Sequence, residues 1–335
     1  MEDFLGLLYS CLLYSTVFGF FLLFLLCIIL VKFSSPYPDI HRSEKEKFFY
    51  DPLDDRRMKL PYLDKKPSVK LSVVVPAYDE EERLPAMLDE CLSYLSERQE
   101  LNPTFSYEVL VVSDGSKDGT VRLAHEYARR WGTNTLRVLD LQPNRGKGGA
   151  IRLGVQNTRG AVILFADADG ATKFADLEKL EDSLKDLVHG DYIKEEQVVV
   201  EKQAIVCGSR AHLEQEAIAS RSYVRTFLMH GFHFLVWLLA VRGVRDTQCG
   251  FKLLTRATAF QCFSCLHIER WAFDVELLYV AQQLKVPLAE VAVRWTEIDG
   301  SKIVPVWSWL QMGRDIFLIW LRYAIGAWKL KTKEE

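Results

Sequence analysis

Two kinds of apolar pattern run along this chain. Residues 7–31, LLYSCLLYSTVFGFFLLFLLCIILV, form one unbroken uncharged stretch. As a helix it would extend about 38 Å, enough to cross a hydrocarbon core of about 30 Å. From residue 71 onward the apolar residues come in short runs instead. Leu71–Pro76, Tyr107–Val112, Leu136–Asp140 and Gly160–Ala166 place apolar residues, many of them Val, Ile or Leu, on consecutive positions. That is the pattern of strands buried on both faces. Helical periodicity fills 83–98, 120–131 and 148–157 between them. Strand and helix alternate, which predicts an α/β domain with ligands at the carboxyl ends of its strands.

The flanks of the long stretch decide its role. A cleaved leader needs a basic start and a shorter apolar run, whereas this chain begins Met1-Glu2-Asp3. The stretch therefore reads as a retained anchor. No Lys or Arg precedes it, and Lys32, Arg42, Lys45 and Lys47 follow it, which puts the bulk of the chain in the cytosol. The one N-x-S/T triplet, Asn102-Pro103-Thr104, is disabled by its proline. Residues 1–6 are then a short end on the far side, 7–31 the anchor, 32–70 a linker and 71–300 the catalytic domain. Five prolines between 36 and 67 predict that the linker lacks regular elements, although part of it packs on the domain. The charged stretch Val188–Lys202 predicts a surface loop with some strand.

Two later segments carry a different apolar signature. Residues 226–241, TFLMHGFHFLVWLLAV, have no Lys, Arg, Asp or Glu but are short for a span, which leaves a buried core helix or an interfacial one. Beyond Pro305 the polar residues Ser308, Gln311, Asp315, Arg322 and Lys329 recur as one narrow stripe, with Trp307, Trp309, Leu310, Phe317, Ile319, Trp320, Tyr323, Ile325 and Trp328 on the remaining face. Such a Trp-rich helix suits a membrane interface, so 301–335 reads as amphipathic and membrane-associated, with packing on the core as the rival.

Composition excludes more than it selects. A net charge of −3 gives no pull toward nucleic acid. The seven cysteines show no disulfide spacing, and Cys262-x-x-Cys265 lacks the second ligand pair of a zinc site, so they read as reduced thiols, half-buried on a helix.

The chemistry gathers at the predicted strand ends: Asp79 and Glu80, Asp114, and Asp167 with Asp169. Two hard carboxylates one residue apart suit Mg²⁺ or Mn²⁺ with a diphosphate completing the shell. The plain alternative is a pair of turn-forming aspartates. Asn144–Gly149, with Arg145 and Lys147, offers amides and cations to a polyphosphate. Its glycines fit neither G-x-G-x-x-G, since Ile151 stands at the third glycine, nor the P-loop spacing.

These motifs carry a resemblance. Val75-Pro76-Ala77-Tyr78-Asp79-Glu80-Glu81, Val112–Ser116, Asn144–Gly149, Asp167-Ala168-Asp169 and Gly208-Ser209-Arg210 follow the order seen in inverting family 2 glycosyltransferases of GT-A fold. The match runs from about residue 70 to 300. Asp246–Lys252 resembles the matching segment of polyprenyl-phosphate glycosyltransferases, and with Trp271–Glu276 and the single anchor the whole is similar to the eukaryotic dolichyl-phosphate β-glucosyltransferases. The resemblance implies a GT-A nucleotide-sugar sheet and transfer of glucose from UDP-glucose to dolichyl phosphate. It places the reaction at the cytosolic face of the endoplasmic reticulum bilayer, with residues 1–6 lumenal. It further implies that Pro76, Tyr78 and Glu80 line the uridine pocket and that Asp114 faces the uracil. Asp167 and Asp169 would hold the metal and diphosphate. Lys147 and Arg210 would reach a phosphate, with Arg221 and Arg225 as looser phosphate candidates. Asp274 and Glu276 are candidates for a base or for orienting sugar hydroxyls. Ala171 departs from the Gln that mannosyl relatives often use as a further metal ligand. A mannosyltransferase using GDP-mannose and a non-catalytic nucleotide-sugar scaffold remain the alternatives.

Overall fold

The computed structural model describes residues 2–213, 223–300 and 307–331, with side chains from Tyr9 and, in the helix beginning at 223, from Gly231. Helix α1 spans Glu2–Phe33, and its Tyr9–Phe33 portion is long and apolar enough to cross a membrane, with a mean hydropathy of 2.7. None of that portion is buried against the rest of the protein.

The linker contains regular structure, contrary to its proline content. Strands β1 (Phe48–Asp51) and β2 (Arg56–Lys59) pair as an antiparallel hairpin, Phe48 opposite Lys59. Pro52 sits in the turn and Pro61 beyond β2, so neither removes a ladder donor. Phe49, Leu60 and Leu63 bury against the domain and hold the hairpin there.

The main sheet comprises β3 (Val69–Ala77), β4 (Tyr107–Asp114), β5 (Leu136–Leu141), β6 (Gly160–Ala166), β7 (Ile205–Ser209), β8 (Phe251–Thr255) and β9 (Leu288–Ala292). Their spatial order is β5-β4-β3-β6-β8-β7-β9, with β8 antiparallel to both neighbours and every other pairing parallel. β4 and β6 are buried at every position, which explains their continuous apolar runs.

Helices cover both faces. On one side α2 (Leu84–Leu101), α3 (Thr120–Trp131) and α5 (Leu177–Val188) contribute Leu88, Leu92, Ala124, Leu180 and Leu184 to the core. On the other, α4 (Lys147–Gln156) packs with α8 (Arg256–Phe263), α9 (Phe273–Gln283) and Ile316 of α10 (Trp307–Ala324). The predicted loop at 188–202 holds the short helix α6 (Glu196–Glu201) and no strand. Val199 alone of its valines is fully buried there, one anchor per turn, so the Val run winds as a helix. Cys262 lies in the last turn of α8 and Cys265 in the turn beyond it, both fully buried and not half-buried.

α7 (Tyr223–Leu239) and α10 pack together and share an unusual polarity. On α10, Ser308 and Asp315 are 5% exposed, whereas Trp307 is 72% and Leu310 64% exposed. Ser308 and Asp315 of the polar stripe point inward and Trp307, Leu310, Phe317 and Trp320 outward, but the predicted apolar face is divided, since Ile319 is buried and Trp328, beyond the helix, is buried and stacked on His267. Over its described side chains α7 likewise exposes Phe234, Trp237 and Leu238 while burying Val236, so this part, from Gly231 on, is half-exposed and not wholly core.

Candidate active site

The chain steps outward from β3 to β4 and β5, then returns to β6 on the other side of β3. This strand-order reversal opens a crevice at the carboxyl ends of β3 and β6, the usual place for a ligand in such sheets. β3 delivers Tyr78–Glu80 to it and β6 delivers Asp167 and Asp169.

Asp167 is held from two sides. Its backbone N–H donates to the Gly250 carbonyl at 3.0 Å. Its carboxylate accepts from the Lys147 ammonium at 2.7 Å (Oδ1) and 2.9 Å (Oδ2). Lys147 opens α4, after Gly146 at φ +86°, a conformation that glycine adopts without strain. Gly250 is required by contact: a Cβ there would lie 2.0 Å from Asp167 Oδ2. Asp169 Oδ1 accepts the Ala171 N–H at 3.0 Å. Burial, then the neighbouring Asp167 charge, raises the Asp169 pKa, against the pull of that N–H, Lys147 and Arg83. Lys147 is half-buried, which disfavours its charge, but the Asp167 and Asp274 carboxylates outweigh the desolvation and keep its pKa raised. The crevice thus concentrates carboxylates around one ammonium, an arrangement that a further cation relieves.

Asp114 ends β4. Its two carboxylate oxygens accept the N–H groups of Arg145 and Gly146, each at 2.8 Å, and its carbonyl accepts the Asn144 amide at 2.9 Å. It clamps the glycine-rich loop, and each oxygen keeps a further lone pair for a nucleobase N–H. Burial pushes its pKa up to about 6 despite the two amides.

On the β3 side, Asp79 takes φ +52°, a left-handed backbone that Asp tolerates, with its N–H on Ser116 Oγ at 3.2 Å and its Oδ1 accepting Lys117 N–H at 2.7 Å. Glu80 receives Arg83 in a bidentate pair, at 2.7 and 2.6 Å. Pro76 and Tyr78 are half-exposed at the crevice. The β3 and β4 ends are therefore stitched together before any ligand is considered.

Other sequence candidates separate. Arg210 makes a bidentate pair with Asp246, at 2.7 and 2.9 Å, and lies over the Trp295 ring. Asp274 is buried against the ammonium of Lys252, which also donates to the Thr247 carbonyl at 3.0 Å. Burial raises the Asp274 pKa, opposed by Lys252 and Lys147, which places it within electrostatic reach of the crevice. Glu276 is fully buried and accepts the N–H groups of His267 and Ile268 and the Tyr323 hydroxyl. These acceptor interactions tie the 266–268 turn to α10, so its geometry is that of a structural clamp and not of a base at the crevice. Arg221 and the Arg225 side chain lie outside the described residues.

The sequence marks 246–252 as one block, and the structure divides its work. Asp246 sets Arg210, Gly250 makes room for Asp167, and Lys252 neutralises Asp274. Arg83, which braces Glu80 and reaches the Asp299 carbonyl at 3.2 Å, is a further crevice residue that the sequence does not single out, since Arg at a helix start has no distinctive signal.

Comparison with known proteins fits this geometry. Residues 72–230 match the glycosyl transferase family 2 model. A Drosophila melanogaster protein named dolichyl-phosphate beta-glucosyltransferase is 58% identical over 299 residues, 89% of each chain. Its Homo sapiens namesake is 57% identical over 309 residues, 92% of each chain. A crystal structure of a mycobacterial protein shares the fold at 17% identity, with a TM-score of 0.50 over 86% of this chain and 85% of its own. The strand order, the crevice and these relatives together place the chain in the dolichyl-phosphate β-glucosyltransferases, glycosyltransferase family 2 enzymes of GT-A fold.

Proposed function

We propose that the protein transfers glucose from UDP-glucose to dolichyl phosphate with inversion, giving dolichyl β-D-glucosyl phosphate for N-glycan precursor assembly. The observation that carries this reading is 58% identity over nearly the whole chain to an enzyme so named. Asp167 and Asp169 would hold a divalent cation, Mg²⁺ or Mn²⁺. The residues fit: both donors are hard oxygens, and the Gly250 position, which a Cβ would fill, leaves Asp167 its place. Among the described residues no group of three or more His, Cys, Asp or Glu converges, so diphosphate and water would complete the shell. When bound, the cation supplies charge stabilisation for the departing UDP.

The protein's own groups do the rest. Lys147, already at the Asp167 carboxylate, would follow the growing charge on the β-phosphate, and Arg210, held by Asp246, would supply a second cation. Pro76, Tyr78, Glu80 and Asp114 would line the uridine side. The acceptor phosphate, with a second pKa near 6 as in other phosphomonoesters, is largely dianionic at neutral pH. It therefore needs in-line placement at C1 more than a strong base. This suits Asp274, whose charge Lys252 already engages, to orienting sugar hydroxyls.

The membrane reading has its own support. α1 is a single apolar helix followed by Lys32, Arg42, Lys45 and Lys47, which favours a cytosolic catalytic domain on the endoplasmic reticulum. The outward Trp307, Leu310, Phe317 and Trp320 of α10 and the exposed face of α7 suit the bilayer surface where a polyprenyl acceptor resides. The test supplies membranes containing the protein with UDP-glucose and GDP-mannose in parallel, with dolichyl phosphate and a divalent cation. Glucosyl lipid from UDP-glucose is expected, and transfer from GDP-mannose alone would refute the reading.

A further inference from the structure

We propose that Glu46, in the membrane-proximal segment outside the region matching the family model, is a positioning residue for the donor site. The proposal rests on the nucleotide-sugar reading above. Glu46 is a fully buried carboxylate. Its Oε2 accepts the Ser43 N–H at 2.8 Å and the Arg145 guanidinium at 2.9 Å, and its Oε1 accepts the Gln142 N–H at 3.1 Å. Burial alone would raise its pKa, but these donors outweigh it and hold the pKa below the usual range. The group is therefore a fixed negative charge inside the protein, and two of its partners, Gln142 and Arg145, lie on the loop that serves the crevice.

That loop is otherwise fixed mainly through the crevice residues themselves. The Arg145 and Gly146 N–H groups hold Asp114, and the next residue, Lys147, holds Asp167. Glu46 thus sits one step from both halves of the site through Arg145. The segment carrying it is braced independently: Arg42 donates to the Glu46 carbonyl at 2.6 Å and to Asn157 Oδ1 at 3.2 Å, and the Lys329 N–H donates to the Pro36 carbonyl at 3.0 Å. A buried carboxylate with both oxygens satisfied fixes its partners more sharply than a surface pair does. On this geometry the donor-binding unit begins just past the anchor, near residue 36, and not at β3.

The test uses full-length protein in detergent, with UDP binding by calorimetry and steady-state kinetics. Glu46→Gln keeps one acceptor but loses the charge facing Arg145. It should weaken UDP binding and raise the KM for UDP-glucose about tenfold, with kcat at saturating donor and the acceptor KM within about twofold of the unaltered enzyme. Arg145→Gln should do the same, and the double variant should bind UDP no more weakly than either single one. Glu44→Gln, at an exposed neighbour paired with Lys47, should change nothing. Unchanged UDP affinity in folded Glu46→Gln overturns the proposal, as do multiplying losses in the double variant or a fall in kcat without a donor effect. If Glu46→Gln does not accumulate, unchanged UDP affinity in Arg145→Gln overturns it equally. Failure of the unaltered enzyme to bind UDP would instead refute the nucleotide-sugar reading itself.

Discussion

Replacing Gly250 by alanine tests the carboxylate geometry with a single methyl group. The new Cβ would lie 2.0 Å from Asp167 Oδ2, 2.2 Å from its Cγ and 2.5 Å from Oδ1, where ordinary contact begins at 3.4 Å. The carboxylate must therefore retreat by about 1.4 Å, the difference between 3.4 and 2.0 Å. A retreat of that size breaks the 2.7 Å contact with Lys147 and moves Asp167 from its place beside Asp169. Misplacement of about 1 Å in a reacting constellation costs about 100-fold in rate. kcat/KM for UDP-glucose should fall by about that factor, and the Mn²⁺ concentration for half-activation should rise. The fold should survive, because the Asp167 N–H to Gly250 carbonyl bond does not involve the Cβ and the partly exposed Asp167 side chain can rotate outward. The thermal midpoint should shift by less than about 4 °C, equivalent to about 1 kcal/mol or less. Gly313→Ala, with nothing within 4 Å of its Cβ, is the control. A Gly250→Ala enzyme with more than half of normal kcat/KM and an unchanged Mn²⁺ requirement would refute the argument.

Further outcomes follow from the same contacts. Asp169→Ala should abolish transfer and the response to divalent cations, and retained full activity would end the metal assignment. Asp114, with its pKa near 6, adds stability that is present below the ordinary carboxylate value of 3.8 and is lost as pH rises through about 6. Its ionised form is the acceptor for the loop amides and the nucleobase, so UDP-glucose binding should weaken as pH falls through about 6, a step absent from a calorimetric pH series on Asp114→Asn. Lys252→Met should destabilise the protein by about 3–5 kcal/mol in denaturant melts by stranding buried Asp274, and Lys252→Met with Asp274→Leu should recover most of the loss. Trp307→Glu with Leu310→Glu should raise the KM for dolichyl phosphate in vesicles but not for a short water-soluble prenyl phosphate, as measured by product formation on each.

The doubly buried strands were legible because burial on both faces selects Val, Leu, Ile and their like, as along β6 and at Val109–Val112 of β4, where the buried Glu108 is the exception that Arg137 and Arg159 neutralise. The carboxylates of the crevice were legible because they interrupt those runs at strand ends. The β1–β2 hairpin was not, because β2 (Arg56–Lys59) exposes every residue and its polar run carries no period. Lys252 was marked only as the end of the 246–252 motif, and its role was not legible because only the fold brings Asp274 to it across 22 positions. Glu276 could not be told from a crevice acid, since its partners, the 267–268 amides and Tyr323, are set by tertiary packing. The α10 stripe was visible as a period of polar positions, but the period alone cannot say which face turns inward. Asp315 and Ser308 turn in, leaving Trp307 and Trp320 outside while Trp328 is buried.

The anchor behaves differently from every other part of the chain. Across Tyr9–Phe33 no side chain is buried against the rest of the protein, the hydroxyls of Ser10, Ser15 and Thr16 return only to carbonyls of their own helix, and the apolar residues are spread evenly around it. Selection can then act on two scalar properties of α1, its length and its greasiness, and hardly at all on the identity of any one residue. Between related genes this stretch should drift almost freely while Glu46, a dozen residues further on, stays put.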